Sequence, residues 1–371
     1  MTAKKVQIFY ASIGSGHLVA ARSISQAIKD INPEIEIELH DIFGHSKLNV
    51  FFQEILAFLP NLVFPELYTR IWRTGSFKWL YDLACSFGPI RRKILRKIQL
   101  YSPDLLICTH TFPCTVISNW KTNHYLPPLM AVATDQFVHD YWPIKRIDAF
   151  ISPNLLMEKE LIRRGLDKKR IYTFGIPVAP SLREMTHKLK SRKKIKIIVL
   201  AGSYRVAPYL TIYKRVKELL AYLEFHQSRK IIWQFVFGAS NRLKKIAQHK
   251  LINRRDIDIY DFPENVQIMM ADSDFIFTKP GGLTVAEALA LKKPIILLSA
   301  GSGQERENSD FVIHSGLGVL LDKEVDLIHF TEELMQNPQS IQNRFSQPSK
   351  SMIDSAQQAA HLALRLMEKV K

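Results

Sequence analysis

Cysteine is scarce: Cys85, Cys108 and Cys114 are the whole supply in 371 residues. An odd, sparse count without metal-type pairing argues against a disulfide framework and points to a reducing compartment. Long apolar runs are missing too. The most apolar stretch, Asn49 to Tyr68, is broken by Gln53, Glu54, Pro60 and Asn61, which excludes a clean membrane-spanning helix there. No secretory signal is read at the N-terminus, because Val6-Gln7-Ile8-Phe9-Tyr10 is a first strand followed at once by a turn. Zinc-finger spacings, a basic zipper and RNA-recognition motifs are absent, so nucleic acid is not an expected partner. Acidic residues are in deficit, with 35 Asp+Glu against 51 Lys+Arg and a net charge of +16. That balance favours an anionic membrane surface or phosphorylated substrates. The expected location is the cytoplasm, with peripheral attachment to the inner face of the cell membrane.

What is present reads as two α/β domains. The chain is too long for one ordinary core, and short apolar runs alternate with helical patterns, as parallel sheets require. Candidate strands in the first half are 6–11, 35–40, 104–109, 129–134, 148–152 and a stretch near 171–174. The second half restarts at 194–200 and continues through 231–237, 266–269, 274–278 and 294–298. We expect a domain over 1–178, a linker over 179–193, a second domain over 194–350 and a closing amphipathic helix over 351–371. Two doubly wound Rossmann-like sheets facing one another would place a cleft at their strand C-termini.

The stretch Asp274 to Ala288 reads strand, tight turn, helix, with Lys279-Pro280-Gly281-Gly282 at the turn. Paired glycines admit a ligand close to the backbone, and the helix beyond offers unpaired N–H groups and a positive dipole end. A diphosphate suits such a place. Thr284-x-x-Glu287 has two readings: a capping box, or a carboxylate that accepts hydrogen bonds from both ribose hydroxyls of a nucleotide. The next strand runs into Gly301-Ser302-Gly303-Gln304-Glu305-Arg306-Glu307-Asn308, either a solvated loop or a set of polar groups for sugar hydroxyls. Asp272-Ser273-Asp274 opens a strand, and no metal is assigned to it.

In the first half, strand 6–11 ends in Ser12-Ile13-Gly14-Ser15-Gly16-His17, and a helical pattern follows. A histidine at a helix N-terminus is disfavoured as imidazolium and can accept a proton; a packing or capping role is the plainer alternative. Asp135 and His139 follow strand 129–134, and His110 follows strand 104–109. Residues 45–100 carry Phe51, Phe52, Trp72 and further aromatics, then Arg91, Arg92, Lys93, Arg96 and Lys97. That order reads either as a surface dipping into an anionic bilayer or as core helices with a solvated basic face.

Taken as a set, these motifs resemble the glycolipid synthases: the monogalactosyldiacylglycerol synthases and the processive diacylglycerol glucosyltransferases, with the lipid II-forming transferase more distant. The shared patterns are K-P-G-G-x-T-x-x-E-A from Lys279 to Ala288 and G-Q-E-x-x-N from Gly303 to Asn308. G-x-G-H ends at His17, T-D-x-x-x-H-x-x-W runs from Thr134 to Trp142, and G-I-P-V spans Gly175 to Val178. The resemblance implies a GT-B fold and inverting, metal-independent transfer of glucose or galactose from a UDP-sugar to diacylglycerol or a glycolipid. It implies that His17 or Asp135 is the base and that no cofactor is needed beyond the UDP-sugar substrate. The donor side would comprise Gly238, Phe262, Met270, Lys279, Gly281, Gly282, Thr284, Glu287, Gln304, Glu305 and Asn308. Gly16, His139 and Trp142, with the membrane residues above, would serve the acceptor. One departure stands out: the first turn of the second domain reads Ala201-Gly202-Ser203-Tyr204-Arg205, where the resemblance implies that Gly202 and Ser203 would lie against phosphate but Tyr204 and Arg205 replace the usual glycine-rich turn.

The competing readings are a UDP-GlcNAc transferase acting on a polyprenyl-linked peptidoglycan precursor, a UDP-sugar epimerase, and a membrane protein that binds UDP-sugar without turnover.

Overall fold

The computed structural model describes residues 3–12, 16–44, 70, 74–76, 78–182, 185, 194–201, 210–238, 240–261, 263–301 and 303–368. Phe51, Phe52, Trp72, Gly202, Ser203 and Phe262 lie outside the described residues. The chain divides into two compact units, one of residues 1–180 with 350–371 and one of 181–349.

In the first unit the order is β1 (Lys5–Tyr10), α1 (Gly16–Ile31), β2 (Glu36–Asp41), α2 (Lys78–Ser86), α3 (Pro89–Tyr101), β3 (Leu105–Cys108), α4 (Thr111–Trp120), β4 (Leu129–Val132), β5 (Ala149–Ser152), α5 (Leu155–Arg163) and β6 (Ile171–Thr173). The strands form one parallel sheet in the order β2-β1-β3-β4-β5-β6. β3, β4 and β5 are buried along their whole length, which is why they read as unbroken apolar runs. The winding direction reverses between β1 and β3, and at such a reversal the crossovers part and leave a crevice at the strand C-termini.

The second unit runs β7 (Ile195–Leu200), α6 (Leu210–Phe225), β8 (Ile231–Val236), α7 (Asn241–Lys250), β9 (Ile257–Tyr260), α8 (Val266–Ala271), β10 (Phe275–Thr278), α9 (Gly282–Ala290), β11 (Ile295–Leu297), α10 (Gln304–His314), β12 (Gly318–Leu320) and α11 (Glu324–Gln336). Its parallel sheet has the order β12-β11-β10-β7-β8-β9, so the reversal lies between β7 and β10. Trp233, Phe235, Phe237, Phe275 and Phe277 fill its core.

Two sequence expectations change here. Residues 266–269, expected as a strand, are the start of helix α8: Met270 and Ala271 are buried while Ile268 is 52% exposed. A four-residue apolar run carries no period long enough to separate helix from strand. The strand of that region is β9, whose Asp258 is exposed between half-buried Ile257 and Ile259, the alternation of an edge strand. β12 also escaped the sequence reading, because three residues beginning with glycine carry little strand signal.

The last helix, α12 (Ser355–Glu368), belongs to the first unit. Ala356, Ala359, Ala360 and Ala363 recur at helical spacing and join the core cluster that holds Ala21, Ile24 and Ile28 of α1. Small side chains let two helices approach closely, so the contact is tight. The returning chain is anchored on the Gly175-Ile176 turn: Ser355 Oγ donates to the Ile176 carbonyl at 2.9 Å. Gly175 has φ +85°, and a Cβ there would sit 3.1 Å from the Met352 Cα.

Gly318 makes a testable demand on the second sheet. A Cβ at this position would collide with the Ile295 carbonyl oxygen and lie 2.7 Å from Val312 Cγ1. Gly318→Ala is expected to lower unfolding free energy by about 2–3 kcal/mol through overpacking, measured by urea denaturation. A variant as stable as the parent contradicts this packing.

Candidate functional site

His17 is the second residue of α1 and follows β1; Thr109 follows β3. β1 and β3 pair with Phe9 opposite Cys108, and Thr109 N–H donates to the Phe9 carbonyl at 3.1 Å. That register brings the two strand ends together. His17 Nδ1 lies 2.8 Å from the Thr109 carbonyl and 2.9 Å from Thr134 Oγ1, while Thr109 Oγ1 donates to the His17 carbonyl at 2.9 Å. A carbonyl only accepts, so Nδ1 carries the proton and the lone pair is assigned to Nε2. Burial lowers the His17 pKa, against the Asp135 charge and the Thr109 hydrogen bond, which raise it. The ring is therefore neutral at pH 7, as the sequence suggested, but burial is the principal cause.

Two more imidazoles stand nearby. The His110 ring is 4.7 Å from that of His17 between centroids, edge to face. Burial, then the charges of His17 and His139, hold its pKa well below the usual value. His139 is pushed down to about 3 by burial and by the Arg164 and His17 charges. Thr134 to Trp142 form the segment after β4, and sequence reading missed what holds it. The Arg164 guanidinium donates to the carbonyls of Val138, His139, Asp140 and Trp142 at 3.0–3.3 Å. An arginine at a helix end gives no sequence signal of such a role. Asp135 is half-buried at the head of this segment.

Some expected acceptor residues take a different place. Trp142 is 4% exposed and packs edge-on against Phe150 in the core, so its ring is not a surface contact. His139 is buried as well.

On the second unit, the Gly281-Gly282 turn joins β10 to α9 at the reversal of the sheet. Gly281 is the N-cap and supplies no side chain, which leaves the first N–H groups of α9 for a ligand. Glu287 does not reach back to the helix start, so the capping-box reading fails. Its Oε1 accepts from Gln267 Nε2 at 3.1 Å, and Oε2 has no hydrogen-bond partner among the described residues. Burial raises its pKa to about 7, and the Gln267 bond opposes the shift. Gln267 on α8 was another residue missed, because its helix was misread as a strand. Lys279 Nζ pairs with Glu305 Oε1 at 2.5 Å beside the turn, and Gln304, half-buried, opens α10. Thr284 is half-buried in the first turn of α9. Gly238, at φ +55° after β8, donates to the Asp261 carbonyl at 3.0 Å.

Two expected donor contacts are supports instead. Asn308 is fully buried and donates from Nδ2 to the Pro280 carbonyl at 3.0 Å, holding the turn from behind. Met270 is 1% exposed and belongs to the core. The Asp272 and Asp274 carboxylates bind Lys196 Nζ and the Lys196 N–H, at the opposite end of β10 from the glycine turn. Among the described residues no group of three His, Cys, Asp or Glu converges as a metal-ligand set.

The region after residue 77 presents one apolar and one basic surface. On α2 and just beyond it, Trp79, Leu80, Leu83 and Phe87 are 49–70% exposed. α3 buries Ile94, Leu95 and Ile98, half-buries Arg91 and exposes Arg92, Lys93, Arg96 and Lys97. No helix among the described residues is long and apolar enough to cross a membrane.

Residues 17–178 match the family model of monogalactosyldiacylglycerol (MGDG) synthase, and residues 196–362 match that of the glycosyltransferase family 28 C-terminal domain. A processive diacylglycerol beta-glucosyltransferase of Bacillus pumilus is 25% identical over 357 residues, covering 92% of this chain and 89% of the relative. An uncharacterized glycosyltransferase of Bacillus subtilis is 29% identical over 319 residues, covering 82% of this chain and 81% of the relative. Among solved structures, MurG of Acinetobacter baumannii superposes with a TM-score of 0.60 at 12% identity, covering 98% of this chain and 99% of that one. A putative UDP-N-acetylglucosamine 2-epimerase of Listeria monocytogenes gives a TM-score of 0.62 at 13% identity, with 99% and 96% covered. At those identities the superpositions establish the GT-B fold alone, while the family models account for both units in sequence. The chain belongs to the GT-B glycosyltransferases that join a monogalactosyldiacylglycerol synthase unit to a family 28 C-terminal domain.

Proposed function

We propose that the protein transfers a hexose from a UDP-sugar to the hydroxyl of diacylglycerol or a glycolipid, with inversion, giving a β-glycosyl lipid. The observation that carries the chemistry is His17: a neutral ring, tied through Nδ1–H to the Thr109 carbonyl, with its Nε2 lone pair assigned to the other edge. A group of this kind takes the acceptor proton as the hydroxyl oxygen bonds to the anomeric carbon. The bond from that carbon to the UDP β-phosphate oxygen breaks, and its electron pair leaves with UDP. Asp135, whose charge favours the imidazolium, stabilises His17 once it is protonated.

On the donor side the uncapped start of α9 and Lys279 meet the diphosphate charge. This assigns the leaving-group charge to the protein without a metal. Glu287 accepts the ribose hydroxyls, and Gln304 and Glu305 lie toward the hexose and phosphates. The lipid acceptor is supported by the relatives' names and by the exposed Trp79, Leu80, Leu83 and Phe87 beside a basic helix. Such a surface lies on an anionic leaflet, with the enzyme peripheral on the inner face of the cell membrane. An epimerase needs no such surface.

His17→Ala is expected to reduce hexose transfer on diacylglycerol liposomes by about 10²–10⁴-fold with UDP affinity unchanged. Loss of UDP binding in step with activity refutes the base role. In the parent enzyme kcat/KM should rise with pH through the lowered His17 pKa, below 6.5, and then level off.

Glu287→Gln separates binding from stability. Its raised pKa means that the folded state holds this proton more tightly than the unfolded chain does. The contribution of this group to stability is therefore full below pH 4.5 and is lost as pH rises through about 7. The glutamine variant escapes that loss, so it should be more stable than the parent at pH 8, by up to about 3 kcal/mol, and equal to it near pH 4. UDP affinity should fall about tenfold in the same variant; calorimetry showing unchanged affinity sinks the ribose role.

For the membrane surface, R91E together with R92E should weaken binding to anionic vesicles at least tenfold, on the order of 1 kcal/mol per basic side chain lost. Unchanged sedimentation with vesicles rejects this surface.

A further inference from the structure

His110 is the residue the proposed reaction leaves without a role. It follows β3 directly and is the N-cap of α4, with φ −136° and ψ 144°. Its Nδ1 accepts the Phe112 N–H at 3.1 Å. A neutral ring that accepts through Nδ1 carries its proton on Nε2. His17 has the reverse arrangement, with the proton on Nδ1 and the lone pair on Nε2. The two rings stand 4.7 Å apart between centroids at 80°. Neither Nε2 has a hydrogen-bond partner among the described residues, and the rings do not bond each other. Two neighbouring rings at the reversal of the sheet therefore carry one acceptor nitrogen and one donor N–H.

We propose that His17 Nε2 and His110 Nε2–H form a clamp for a single hydroxyl group of the acceptor, which makes His110 a second residue in contact with the nucleophilic oxygen. This rests on the function proposed above and specifies the chemistry its acceptor must have. A hydroxyl gives its hydrogen to His17 and takes one from His110 through an oxygen lone pair. A phosphate, carboxylate or carbonyl oxygen has no hydrogen to offer His17, so the pair selects an alcohol over these groups. The His110 bond also fixes the direction of the O–H toward His17 before the proton moves, and it stays in place as negative charge grows on the oxygen. Neutrality of both rings is part of the device: an imidazolium at 17 has no lone pair for the hydroxyl, and one at 110 sets a like charge against a protonated His17.

His110→Asn and His110→Gln divide the two nitrogens between them. Asparagine keeps an acceptor at the position of Nδ1, and so keeps the cap on α4, but has nothing at Nε2. Glutamine reaches the position of Nε2 with an N–H and gives up the cap. With diacylglycerol liposomes and UDP-hexose, H110N is expected to lose at least tenfold in kcat with an unchanged KM for the UDP-sugar and an unchanged melting temperature. H110Q is expected to melt lower and yet turn over faster than H110N. A purely structural His110 gives the opposite order of activities, and H110N at parental turnover overturns the clamp. Long-range proton–nitrogen NMR of the parent should find His110 protonated on Nε2; protonation on Nδ1 overturns it also. Parent enzyme that transfers no hexose to any acyl glycerol counts against the proposed function, and the NMR assignment then still decides the clamp.

Discussion

The parallel pairing of β1 with β3 is the constraint on which the first site depends. In a parallel sheet every strand delivers its C-terminus to the same edge, and neighbours in register end together. Here Phe9 lies opposite Cys108, so the residues that follow, toward His17 on one side and at Thr109 on the other, must meet. Thr109 then bonds His17 twice, through its carbonyl to the ring and through its hydroxyl to the backbone. One residue thereby sets both the position of the imidazole and the nitrogen that carries its proton.

The second unit repeats the logic with different side chains. β7 lies between β8 and β10, and the turn after β10 opens at the reversal of its sheet. The groups gathered at that turn are few: the N–H groups of α9, Lys279 paired with Glu305, Glu287 and Gln304. Behind them stand residues that touch only protein. Asn308 holds the Pro280 carbonyl, Gln267 orients the Glu287 carboxyl, and in the first unit Arg164 binds four carbonyls of the segment carrying Asp135. Such supports make a site rigid before substrate arrives, so little reorganisation remains for the reaction itself.

Burial also decides the charges. His17, His110 and His139 are all held below the usual histidine pKa, while Glu287 is lifted to about 7. Burial thus disfavours the charged form of all four groups. The cations left over, on α3, are instead mostly exposed, and the helix before it in sequence exposes Trp79, Leu80 and Leu83. A chain with a net charge of +16 has in this way separated its chemistry from its surface electrostatics.

Sequence by itself determined the class of fold, most of the strands and the glycine turn, because burial on both faces of a parallel sheet writes itself as apolar runs and a ligand turn as glycine. It also located His17, Asp135, Lys279, Glu287 and the basic helix at 91–97, since local motifs carry those. Tertiary structure alone decided which motif residues are buried and what each of them bonds. Trp142, Met270 and Asn308 look like site residues in a motif and are buried supports in the fold, because burial depends on neighbours far away in the chain. The misread 266–269 and the unseen β9 and β12 have a related cause: segments of three or four residues take their conformation from the sheet that receives them. The placement of α12 beside α1, the tautomer of His17 and the grip of Arg164 are all contacts between residues distant in sequence. No local pattern records a pairing that exists only after the chain has closed on itself.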